Sequence, residues 1–159
     1  MYMFLNQLIN AIIQIILFAI VPFLWWLITA RKKENFFSWI GLKKPAYEGK
    51  GNGIVLIIVS FIFIFVLGQI AIYFRGELEA ADSAYKGMGA TAIPSIALYA
   101  YGQTGFSEEL LFRGFLLKRL SNKFGFWPAN IVTSAIFGAI HLTMVWGHVN
   151  IVSGTLIVV

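Results

Sequence analysis

Apolar runs close to the length of a bilayer crossing dominate this chain. They cover about residues 4–29, 53–74, 91–120 and 128–146. A helix needs roughly 20 apolar residues to cross the hydrocarbon core of a membrane. Composition agrees: 59% of residues are hydrophobic and 12% charged, with a mean hydropathy of +0.81, where soluble domains carry about 25% charged residues. The expectation is an all-α, polytopic transmembrane helical bundle of about four full spans plus a partial fifth. It forms a single membrane-embedded domain over residues 1–159.

Charge sets the expected orientation. The net charge is +5, but its cations gather in short loops, the pattern of membrane topology rather than of nucleic-acid binding. Residues 31 to 50 hold Arg31, Lys32, Lys33, Lys43, Lys44 and Lys50 against Glu34 and Glu48. That loop is expected on the cytoplasmic side, with the N-terminus outside. A cleaved signal peptide fits less well, because no positive charge precedes the first apolar run and the basic cluster follows it. The Trp25-Trp26 pair reads as an interfacial belt, and Phe36-Phe37-Ser38-Trp39-Ile40-Gly41 as a short segment lying in the interface. Amides at Asn6, Gln7, Asn10 and Gln14 could glue helices together or line a site. Zero cysteines exclude disulfides and thiolate metal sites.

The third run, 91–120, is longer than the membrane core and must tilt or break. Pro94 and Gly102-Gln103-Thr104-Gly105 are its expected weak points. It ends at Lys118-Arg119 and Lys123. A turn is expected at Ser121-Asn122-Lys123-Phe124-Gly125-Phe126-Trp127-Pro128, with Pro128 in the first turn of the next helix. Trp146-Gly147-His148 reads as the outer interface. The run at 150–159 is too short to span, so the chain is expected to stop inside a helix.

One stretch interrupts the apolar pattern with ionisable groups: Thr104-Gly105-Phe106-Ser107-Glu108-Glu109-Leu110-Leu111-Phe112-Arg113-Gly114. Ionisable residues at membrane depth are costly, so they mark a functional site by default. Glu109 and Arg113 stand one helical turn apart and can pair. Glu108 then points elsewhere. The next such landmark is His141. The midpoint of 108 and 141 falls between Phe124 and Gly125, inside the expected turn, so a helical hairpin would set Glu108 and His141 at similar depth. An apolar setting raises a carboxyl pKa toward the range of a general base, so Glu108 could deprotonate a water. His141 could orient that water, stabilise an oxyanion or ligate a metal, or it could bond a neighbouring helix. A zinc site takes three protein ligands, more than one Glu and one His provide, so a divalent metal would need further ligands. The Glu109–Arg113 pair is as well explained by structure as by catalysis, and His148 by the interface.

At these residues the sequence resembles the CPBP family of intramembrane proteases, the CAAX protease and bacteriocin-processing (Abi) family. Its first motif, two glutamates, three residues and an arginine, corresponds to Glu108-Glu109-Leu110-Leu111-Phe112-Arg113, followed by Gly114. Its second, a phenylalanine, three residues and a histidine, corresponds to Phe137 to His141. A Phe-Gly-X-X-Pro-Ala turn, Phe124 to Ala129, lies between them. The resemblance covers roughly Ser95 to the C-terminus. It implies that Glu108 activates water for peptide hydrolysis, that Glu109 and Arg113 support it, and that His141 orients water or stabilises an oxyanion. The family's third motif is a histidine, three residues, then asparagine or aspartate. His148 does not supply it, so the resemblance implies either a chain cut before that motif or a degenerate member of the family.

Three functions compete at this stage. The first is an intramembrane glutamate-dependent endopeptidase acting on membrane-associated peptides or protein tails. The second is a non-catalytic bacteriocin self-immunity factor or scaffold of the same fold. The third is a proton-coupled carrier, disfavoured because no internal repeat is evident. The partners expected are the lipid bilayer and a peptide or protein substrate, in a bacterial plasma membrane, with no nucleic acid.

Overall fold

The computed structural model describes residues 2–44, 52–75 and 83–145, and these are helical throughout, with short turns and no strand. The expected outer interface at Trp146-Gly147-His148 and the partial run at 150–159 lie outside the described residues. All four long apolar runs form helix. They are α1 (Tyr2–Thr29), α3 (Asn52–Arg75), a continuous helix over 93–124, and α6 (Phe126–Val145). Among the described residues, α1 alone is both long and apolar enough to cross a membrane; Gly53–Leu67 of α3 is a shorter apolar stretch.

The chain divides into two compact units, Met1–Lys43 with Ala80–Ser134, and Lys44–Glu79 with Ala135–Val159. In the first unit the helix over 93–124 begins as α4 (Ile93–Ala97), with Pro94 in its first turn. It widens into π-helical turns over Leu98–Phe106, tightens at Ser107-Glu108, widens again over Glu109–Leu117 and ends as α5 (Lys118–Phe124). The expected weak point at 102–105 is therefore a widening, and Pro94 starts the helix instead of breaking it. The expected turn is present: Gly125, at φ 82°, separates α5 from α6, and Pro128 lies in the first turn of α6.

A ladder of side-chain amides joins α1 to this helix. Gln7 Nε2 donates to Gln103 Oε1, Gln103 Nε2 donates to Gln14 Oε1 at 2.9 Å, and Gln14 Nε2 donates to Ser107 Oγ at 3.2 Å. Tyr85 Oη adds a donor to Gln7 Oε1 at 3.0 Å. Gln7 and Gln14 are seven residues apart, two helical turns, and so meet partners four residues apart on the facing helix. The buried Ala11 between them lets the backbones approach. Gln7 and Gln14 of the first run thus hold helices together.

A five-residue helix, α2 (Phe36–Ile40), makes the other half of the packing. Its ends are capped by local chemistry. Asn35 Oδ1 accepts from Ser38 N–H at 2.9 Å. Gly41 takes the left-handed conformation at φ 102°, so that Leu42 N–H reaches Phe37 O at 2.8 Å and Gly41 N–H reaches Ser38 O at 3.1 Å. Its Trp39 and Ile40 are 2% and 3% exposed and form the core with Ala30 and Leu110, flanked by Trp26, Phe36 and Phe115. Lys118 Nζ donates to Trp39 O, and the Arg119 guanidinium stacks 4.1 Å over the Trp39 ring.

Gly114 decides how close α2 comes. A Cβ there would stand 2.7 Å from Ile40 O and 3.0 Å from Ile40 Cγ1. In the second unit, the described side chains of α3 are almost all apolar and exposed. A helix apolar on every face belongs in a core or a membrane.

Three variants and one double-mutant cycle test this packing. Gly114→Ala gains about 1 kcal/mol of helix propensity but forces a methyl into a backbone carbonyl, an overpacking cost of about 1–3 kcal/mol. The net result is a lower thermal midpoint in detergent. Gly102→Ala, whose Cβ would meet only the movable Leu98 Cδ1 at 2.9 Å, keeps the midpoint at or above that of the parent. Gln103→Ala removes two bonds between helices and lowers stability by about 1–2 kcal/mol. A Gln14/Gln103 double-mutant cycle reads a coupling of about 0.6 kcal/mol.

Candidate functional site

The site is built on the short tightened segment between the two π-helical stretches. Ser107 is fully buried. Its hydroxyl donates to the Gln103 and Thr104 carbonyls and accepts from Gln14. Leu110, three residues on, is buried in the α2 core, and Gly114 meets Ile40 four residues later. Residues 107, 110 and 114 therefore form one packed stripe. Glu108 follows the anchored Ser107 directly and is half-buried. π-helical turns are frequent at functional sites, and here they flank Glu108 on both sides.

Glu109 and Arg113 pair as expected, Arg113 Nη1 donating to Glu109 Oε1. The pair is open, with side chains 54% and 68% exposed respectively. Both residues line a groove of about 310 Å³ together with Ile40, Gly41, Leu42, Phe106, Leu110 and Gly114. Its walls are mainly apolar, with the ion pair as their charged element. Glu108 is not among the lining residues, in keeping with a carboxylate turned away from the pair.

His141 lies in the second unit, on the last turns of α6. Its Nδ1 stands 2.9 Å from Phe137 O, and its ring packs against the Phe137 ring at 4.2 Å. A carbonyl only accepts, so Nδ1 carries the proton and a neutral ring keeps its lone pair on Nε2. The spacing of Phe137 and His141 is thus accounted for by one carbonyl and one ring contact on adjacent turns. Glu108 belongs to the other unit, and each is described in its own setting.

The described residues hold no group of three His, Cys, Asp or Glu side chains that could bind a metal. Glu108 and His141 alone do not fit a zinc site, which takes three protein ligands.

Sequence reasoning missed Ser107, Leu110 and the α2 residues that shape the groove. A signal existed in part: Gln103 and Ser107 are the polar residues of the third run at helical spacing, matched to the amides of the first. The groove had none, because it depends on α2 folding inward.

No curated protein and no solved structure matches the chain. Residues 90–159, which carry Glu108, Glu109, Arg113 and His141, match the family described as Type II CAAX prenyl endopeptidase Rce1-like, in agreement with the resemblance read from the two motifs.

Proposed function

We propose that this chain carries the motifs of an intramembrane endopeptidase that uses Glu108 as general base. The family match over residues 90–159 carries the reading, and the anchoring of the residues around Glu108 supports it. In this mechanism Glu108 takes a proton from a water, the water oxygen bonds to the scissile carbonyl carbon, and an oxyanion forms. Glu108 then returns the proton to the leaving amine as the C–N bond breaks. The Glu109–Arg113 pair supports the helix that carries Glu108. For His141 the family resemblance implies a part in orienting water or stabilising the oxyanion.

The proposal includes the membrane setting: one domain over residues 1–159, with about four spans plus a partial fifth. The N-terminus lies outside and the loop over 31–50 is cytoplasmic. Substrates of this class are membrane-associated peptides or protein tails, among them prenylated tails, bacteriocin leaders and membrane-anchored regulators.

The test is cleavage of a fluorogenic tail peptide by the full-length protein in liposomes. Loss of a general base costs about 10²- to 10⁴-fold, so Glu108→Gln lowers kcat by that factor with an unchanged thermal midpoint. Arg113→Gln is expected to lower kcat less and to lower the midpoint as well. Retained cleavage in Glu108→Gln would sink Glu108 as the general base, and no cleavage by the parent protein would leave the non-catalytic scaffold.

A further inference from the structure

The first unit carries a basic surface that no single segment of the chain possesses. The end of α1 runs into Arg31, Lys32 and Lys33, all exposed. The turn there is closed by Trp26 Nε1 donating to Glu34 O at 2.9 Å and by Lys33 N–H reaching Ala30 O at 2.8 Å. The exposed Lys43 follows α2. From the far side of the sequence, α5 brings Lys118, Arg119 and the exposed Lys123.

Docking of α2 unites the two groups. Lys118 is tied to Trp39 O and Arg119 lies over the Trp39 ring. Glu34 and Lys43 both act on Lys118 through space. Glu34 also acts on Arg119 and is the one acidic residue within the two segments 31–43 and 118–123. Seven cations thus face one anion in those segments. Exposed apolar side chains border them: Trp25, Phe37 and Leu42.

Like charges gathered by tertiary packing repel one another, and a countercharge relieves that repulsion. A cationic cluster edged by exposed aromatic and aliphatic groups matches the two layers of a lipid interface, anionic headgroups above and acyl chains below. A soluble anion would have no use for the apolar border. We infer that this composite surface binds anionic phospholipid headgroups in preference to zwitterionic ones. The inference rests on membrane association of the chain and is independent of the proteolytic reading.

Quenching of the tryptophan fluorescence of the full chain in neutral detergent micelles tests it, with dibrominated phosphatidylglycerol compared against dibrominated phosphatidylcholine. The anionic lipid is expected to bind more tightly, and its advantage to fall as salt is raised. Each surface cation near anionic lipid contributes about five-fold in affinity. Replacing the exposed trio by Lys33→Gln, Lys43→Gln and Lys123→Gln therefore lowers phosphatidylglycerol affinity on the order of 100-fold, with an unchanged thermal midpoint. Equal quenching by the two lipids overturns the inference, as does an unaffected triple variant. Displacement of the lipid by millimolar inorganic phosphate overturns it in favour of a soluble-anion site, and displacement by polyglutamate in favour of an acidic protein partner. Peptide cleavage is not read, so the outcome stands apart from that of the Glu108 test.

Discussion

Close contact between the bare Cα of Gly114 and the Ile40 carbonyl underlies much of the first unit. It lets a five-residue helix, too short to be stable alone, rest on the helix that carries the ionisable motif. Once seated, α2 buries Trp39 and Ile40 against Leu110, offers a carbonyl to Lys118 and a ring to Arg119. It also supplies one wall of the groove beside Glu109 and Arg113. A side chain at position 114 would disturb all of these together, because they share one approach distance.

The second constraint is polar. In an apolar setting a side-chain amide without a partner is expensive, so the amides of α1 and the 93–124 helix satisfy one another. The ladder from Tyr85 through Gln7, Gln103 and Gln14 ends on Ser107, one residue before Glu108. Polar pairing holds Ser107 and apolar packing holds Leu110. Glu108 sits between these anchors, on a short α-helical segment bounded by wider turns. A general base needs a fixed direction more than it needs an unusual residue type, and this double anchoring supports the role proposed for it.

Much of this was legible in the residues. The four helices lie close to the four apolar runs, the Gly125 turn falls where Phe124-Gly125 and Pro128 indicated, and Glu109 meets Arg113 at the spacing of one turn. The division of labour within the motif was less legible. Glu109 and Arg113 face a groove, Leu110 faces a core and Ser107 faces another helix. Those environments belong to partners that are distant in sequence. The packing of α2 was not legible for the same reason: Trp39 finds its apolar partners in Leu110 and Phe115.

Local chemistry by itself determined the helices, their caps, the turn, the Glu109–Arg113 pair and the Phe137–His141 contact, because each involves residues within a few positions of one another. The family resemblance of the motif stretch was legible too, since it depends on residue types at fixed spacing. Tertiary structure alone decided which amide bonds which, where α2 rests, that a groove opens beside the ion pair, and that cations from 31–43 and 118–123 form one surface. These features join segments about 70 to 100 positions apart, as the ladder and the Lys118–Trp39 bond do. Such pairings follow from shape and from burial of polar groups, which residue order leaves undetermined.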